Sequence, residues 1–235
     1  MPTRICQRIH DVIDSANLLS HPFYVRWEEG NLEEGELASY AEQYRFFEAY
    51  LPRVLEDIIA KLPPCDARSL LEQNLADELG NPEPHLDMFN KFARAVGARS
   101  QDEVMASPAM RDLIEVYENA ASYGPANALG ALSYYEIQSA DIAQSKAKGL
   151  LNNYNLSEVE VEFWTHHAEI ERDHAEWTIQ AIDNVVFDDM ESATIDFAQR
   201  ASSVWWEFLD EREAMRPGAV RGAGTVLQGG GSPVV

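Results

Sequence analysis

The sequence predicts an all-α protein, a single bundle of seven or eight helices. Apolar residues recur at three- and four-residue spacing in almost every patterned segment. Breakers containing Pro and Gly separate those segments, and no run alternates apolar and polar residues as a half-buried strand would. With no internal repeat and no central linker, residues 1–216 read as one domain, followed by a Gly-rich flexible tail over 217–235.

Residues 4–19 form a short amphipathic segment that the His21-Pro22 step ends. Residues 33–51 place Leu37, Tyr40, Tyr44, Phe47 and Leu51 on one helical stripe. Pro52 kinks this element without ending it, because Val54, Ile58 and Ile59 continue the stripe; Pro63-Pro64 ends it. Helices over 66–79 and 85–97 flank the breaker Gly80-Asn81-Pro82-Glu83-Pro84, with Gly97 as a C-cap. Ser107-Pro108 is an N-cap and N1 pair for a helix over 108–123. The long helix over 125–151 starts Ala/Gly-rich, where small side chains let backbones approach closely. Ser157–Glu160 is a capping-box pattern opening 157–184, and 189–213, with Trp205-Trp206, is the last long helix.

A chain of 235 residues can bury a sizeable core. Its net charge of −22 argues against nucleic acid and against an anionic membrane surface, both of which need clustered Lys and Arg. No stretch approaches the roughly 18–20 apolar residues of a membrane span. The N-terminal MPTRICQRIHDVIDSA lacks a secretory leader's apolar run and cleavage site. Cys6 and Cys65 form no C-x-x-C or zinc pattern, so a reduced, cytoplasmic compartment is expected. A homodimer is expected on separate grounds, since helical bundles with a flat apolar face often pair.

The chemistry-bearing stretch is Trp164–Thr178, WTHHAEIERDHAEWT. His167, Glu171 and His174, spaced by four and three, leave one face of a helix together. Two imidazoles and a carboxylate with open positions suit non-haem iron. A dinuclear carboxylate site in a bundle takes about six ligands. Glu136, in GALSYYEIQSADIA, is a carboxylate on an apolar face, costly unless paired or metal-bound. Glu78 and His85 flank the Gly80–Pro84 break, one in the last turn of a helix and one in the first turn of the next. Competing readings stand beside these. The His-rich helix can be a solvated face of i, i+4 pairs, and His166 with Asp173 repeats the spacing one residue over, although Ile170 then takes the middle position. Glu136 can be a core carboxylate paired with Lys or Arg, and His85 a plain helix-start histidine. Asp77, Asp173 and Glu169 are candidate acceptors for the histidines' second ring nitrogen.

On these residues the chain resembles the haem-oxygenase-like di-iron oxidases. Their pattern is a Glu and a His seven apart, a lone mid-chain Glu, then His-x3-Asp/Glu-x2-His. It is most similar to the CADD-type branch, the self-sacrificing para-aminobenzoate synthases, from HPFYVRWEEGNLEEGELASYAEQY to about residue 184. The resemblance implies a haem-oxygenase-like fold and two iron ions on Glu78, His85, Glu136, His167, Glu171 and His174. It also implies O2 as co-substrate and an external electron donor. Tyr24 would be the sacrificed side chain, Tyr40 a second tyrosine near the metals, and Lys146 in QSKAKGL the nitrogen donor. Glu171 departs from the branch, which usually has Asp there. Read from the residues alone, Tyr24 and Tyr40 fit a core stripe, and Lys146 fits a helix C-terminus. Another branch of the family would oxidise a small amino-acid or fatty-acid substrate. Metal-free enzymes of related fold, the quinone-cofactor oxidases and thiaminases, are a further class. A thiaminase needs a cysteine nucleophile in its central pocket, which the positions of Cys6 and Cys65 disfavour.

Overall fold

A computed structural model describes residues 3–80 and 83–216. Among them are nine α-helices and no strand: α1 (Arg4–Ser15), α2 (Pro22–Glu29), α3 (Glu34–Lys61), α4 (Asp66–Gly80), α5 (His85–Ala95), α6 (Pro108–Tyr123), α7 (Pro125–Asn153), α8 (Glu162–Val185) and α9 (Glu191–Ala214). The tail expected over 217–235 lies outside the described residues.

The helix beyond the expected seven or eight is α2, whose start reads in the sequence as a break. His21 is its N-cap: Nδ1 accepts from the Phe23 N–H at 3.1 Å, Pro22 occupies the first helical position, and Gly30 closes the helix at φ +76°. Pro at N1 loses no hydrogen bond, so it starts this helix rather than ending its predecessor. Histidine is not among the strong capping residues, which hid the signal. α8 also starts later than its capping-box pattern. The Ser157 N–H and hydroxyl both donate to Glu160, at 2.8 and 2.6 Å, but the box closes a separate turn before Glu162. α3 runs through Pro52 without interruption.

α7 is the central element and packs most extensively on α8 and α9. Two glycines make the approach possible. A Cβ on Gly130 would run into the backbone carbonyl of Thr194 in α9, and one on Gly149 would sit 2.8 Å from the Trp27 carbonyl oxygen in α2. Because α7 is enclosed on most faces, its Glu136, Ser139 and Lys146 lie in the interior rather than in water. An aromatic core fills the space around it, with Tyr135 stacked on Trp205 at 4.4 Å and Phe47 edge-on to Trp205 at 4.8 Å. At the rim, Arg26 of α2 clamps Glu36 of α3 at 2.5 Å and Glu213 of α9 at 2.8 Å. Among the described residues no helix is long and apolar enough to cross a membrane.

Gly130→Ala is expected to lower stability by about 1–3 kcal/mol, because the obstruction is backbone and no rotamer relieves it. Gly35→Ala, where nothing lies within 4 Å of the added carbon, is expected to match the wild type or exceed it. Urea unfolding of the two variants checks the contrast.

Candidate metal centre

α8 presents His167, Glu171 and His174 inward, all buried, while Glu169, Arg172, Asp173 and Glu176 face solvent. The one-residue ambiguity resolves on burial, since His166 is only partly buried and Asp173 is exposed. α7 contributes Glu136 from its enclosed middle. α4 ends beside the start of α5, which brings Glu78 and His85 together with His85 Nδ1 3.0 Å from Glu78 Oε2. His174 Nδ1 lies 3.7 Å from Glu171 and 4.0 Å from Glu78; His167 Nε2 lies 3.9 Å from Glu171. The structure thus brings all six sequence-derived residues to one place, from four helices.

Two of the histidines are oriented by their second nitrogen. His167 Nδ1 donates to the Phe163 carbonyl at 2.6 Å, one turn back on its own helix, so Nε2 is the inward lone pair. His174 Nε2 faces Asp77 at 3.4 Å, which turns Nδ1 toward Glu78 and Glu171. Of the three acceptors expected from the sequence, Asp77 occupies such a position, whereas Asp173 and Glu169 are on the outer face of α8.

Ligand-type atoms gather in three groups, each within 4.8 Å: Glu136, Glu171 and His174; Glu78, His167 and Glu171; and Glu48, His85 and His167. Glu171 belongs to two of them, and Ser139 steadies it with a 2.7 Å hydrogen bond. Glu48, on α3, was not picked out from the sequence. Its signal was the one used for Glu136, a carboxylate inside an apolar stretch, here Phe46-Phe47-Glu48-Ala49-Tyr50.

These side chains fit a bound cation. Glu48 Oε1, Glu78 Oε1, both ring nitrogens of His85 and His174 Nδ1 are buried without a hydrogen-bond partner. Buried polar atoms without a hydrogen-bond partner are rare, and a cation would satisfy these carboxylate oxygens and ring nitrogens together. A nitrogen–carboxylate set of this composition suits iron. Burial first, then repulsion by Glu171, pushes the Glu78 carboxyl up to about 8. Glu136 rises well above the carboxylate range for the same two reasons. Burial pushes His167 down to about 3. Burial would also lower His174, but its bond to Glu171 and the charges of Glu171, Glu136 and Glu78 outweigh it and hold the ring up, at about 10.

Beside this cluster Lys146 is fully buried in an aromatic cage. Its Nζ sits 4.1 Å from the Trp164 ring centre, 4.5 Å from Tyr24, 4.7 Å from Tyr40 and 5.1 Å from Tyr44. It donates to Tyr40 Oη at 2.6 Å, and Tyr40 Oη is 3.0 Å from Tyr24 Oη. Tyr24, Tyr40 and Lys146 therefore form one hydrogen-bonded chain.

A family model described as iron-containing redox enzyme matches residues 38–206. A 4-aminobenzoate synthase from Chlamydia pneumoniae is 30% identical over 84% of this chain and 89% of its own length. A 4-aminobenzoate synthase from Nitrosomonas europaea is 31% identical over 87% and 89% respectively. Among solved structures, a domain with a haem-oxygenase-like fold from Shewanella denitrificans superposes with a TM-score of 0.73 at 17% identity, covering 89% of this chain and 90% of that one.

In metal-stripped protein, stability is expected to fall as pH rises from about 6.5 to 8. Glu78 and His174 both have folded values above their ordinary ones, so across that window the folded state holds protons that the unfolded state has lost. Divalent metal should show the opposite trend and bind more tightly as pH rises, because it replaces those protons. Thermal unfolding at several pH values with and without Mn(II) checks both signs.

Proposed function

Because the chain belongs to the family of iron-containing redox enzymes, we propose that it is a di-iron oxidase that uses O2 to make 4-aminobenzoate from its own Tyr24, with Lys146 as the nitrogen donor. The observation that carries this reading is the Lys146 amine, buried and held 4.5 Å above the Tyr24 ring with no residue between them in the hydrogen-bonded chain except Tyr40. A lysine needed only for a helix end would reach water. This one faces the side chain it would modify.

Two iron ions held by Glu78, His85, Glu136, His167, Glu171 and His174 would supply the dioxygen-activating redox chemistry that no side chain provides. The chain's own groups do the rest. Burial drives the Lys146 amine well below the usual range, so its nitrogen keeps a lone pair for bonding to the Tyr24 ring carbon that carries the hydroxyl. For 4-aminobenzoate to leave, that oxygen must depart as water, the Lys146 Cε–Nζ and Tyr24 Cα–Cβ bonds must break, and Cβ must be oxidised to a carboxylate with O2 as the oxidant. Tyr40 Oη accepts the Lys146 hydrogen bond and fixes the nitrogen against the Tyr24 ring. The same oxygen is the partner through which the Tyr24 hydroxyl proton can move. Burial raises the Tyr24 and Tyr40 hydroxyls, so both stay protonated until a ring is oxidised. Phe23, Trp27 and Trp164 close the cage against water. Electrons for dioxygen reduction come from an external donor in this reading.

Fe(II)-loaded protein, given O2 and a chemical reductant but no organic substrate, is expected to release an aromatic amine in at most stoichiometric amount. The peptide carrying Tyr24 should lose mass in parallel. Tyr24→Phe and Lys146→Met are each expected to reduce amine to background while retaining iron. Undiminished amine from Tyr24→Phe would exclude Tyr24 as the sacrificed side chain. Turnover only on adding an amino acid or a fatty acid would favour the substrate-oxidising branch instead.

A further inference from the structure

We propose that Glu48 is a seventh metal-binding side chain, ligating the ion held by His85 and His167. The inference rests on the di-iron reading and extends its ligand set to α3, which supplies none of the six residues already named. Glu48 is 3% exposed, and a carboxylate oxygen lies within 4.8 Å of ligand nitrogens of both His85 and His167. That is the same closeness that unites Glu136, Glu171 and His174. Its Oε1 accepts no hydrogen bond, and neither ring nitrogen of His85 makes one, although Nδ1 lies 3.0 Å from Glu78 Oε2. A core carboxylate kept for structure would be bonded to a donor. The amine whose charge Glu48 feels, Lys146, instead donates to Tyr40.

Charge gives the second argument. Glu78, Glu136 and Glu171 leave two Fe(II) ions with one positive charge uncompensated, inside a bundle where unpaired charge is costly. With Glu48 there are four carboxylates against four positive charges, and three histidines can remain neutral ligands. Composition balances as well. Glu136, Glu171 and His174 form one group and Glu48, His85 and His167 another, while the third, Glu78, His167 and Glu171, shares a member with each. Tyr40, Tyr44 and Glu48 follow at four-residue intervals on α3, so one inner face runs from the Lys146 amine to the metal pair.

The test is anaerobic titration with Fe(II), and separately with Co(II) as a redox-silent probe, of wild type, Glu48→Gln and the exposed control Glu56→Gln. Wild type and the control are expected to bind two ions. Glu48→Gln should bind one normally and the other at least about tenfold more weakly, with a changed Co(II) visible spectrum. Metal-free Glu48→Gln should be at least as stable as metal-free wild type, since an amide replaces a buried carboxylate, so weaker binding cannot be ascribed to misfolding. Two ions bound by Glu48→Gln with wild-type affinity and spectrum would overturn the assignment and leave the di-iron reading standing. A wild type that binds no metal would overturn both.

Discussion

Four carboxylates and three histidines are buried side by side, and among the described residues no arginine pairs with them. In a low-dielectric interior such an assembly cannot be fully ionised on its own. Either protons remain on most of the carboxyls or a cation takes their place. The remainder of the architecture follows from this constraint. The helices that bring the acids together must be held by apolar packing elsewhere, because the centre contributes repulsion to the metal-free protein. The aromatic core around Tyr135 and Trp205 and the clamp of Arg26 on Glu36 and Glu213 provide that hold.

α7 joins the two halves of the chemistry. Glu136 and Lys146, ten residues apart on one helix, are both buried, one in the carboxylate–histidine cluster and the other in the aromatic cage. A helix carrying a carboxylate and an amine into the interior must be covered on nearly every side. Gly130 and Gly149 permit this by letting α9 and α2 approach to backbone contact. The same closeness places Tyr24, on α2, under the amine.

Much of this was legible in the sequence, and the parts that were not share a cause. Repeating apolar spacing marks α3, α6, α7 and α9 because each has a buried face along its length. α2 was missed because its cap is an imidazole and its first residue a proline, a pair whose meaning depends on the side-chain hydrogen bond made. His167, Glu171 and His174 could be grouped because one helix fixes their directions. The meeting of Glu78 with His85 across a chain break is a property of how α4 and α5 pack, and spacing alone gives only their count. Glu48 carried the same signature as Glu136. The apolar members of the α3 stripe, Leu37, Tyr40, Tyr44, Phe47 and Leu51, account for the helix without it, so the pattern alone does not single it out. Which of Asp77, Asp173 and Glu169 meets a histidine depends on helix rotation, and burial decided it.

Tyr24 is 2% exposed and packs edge-on against both Trp27 and Tyr40. If its ring leaves as product, the chain loses a piece of its own core. Emptying an aromatic site of this kind costs about 3–5 kcal/mol, a large part of the stability of an ordinary domain. The spent molecule would then unfold far more often than the fresh one and be exposed to proteases in proportion. Placing the consumed group in the interior would thus give the protein a built-in expiry: the event that ends its usefulness also marks it for removal.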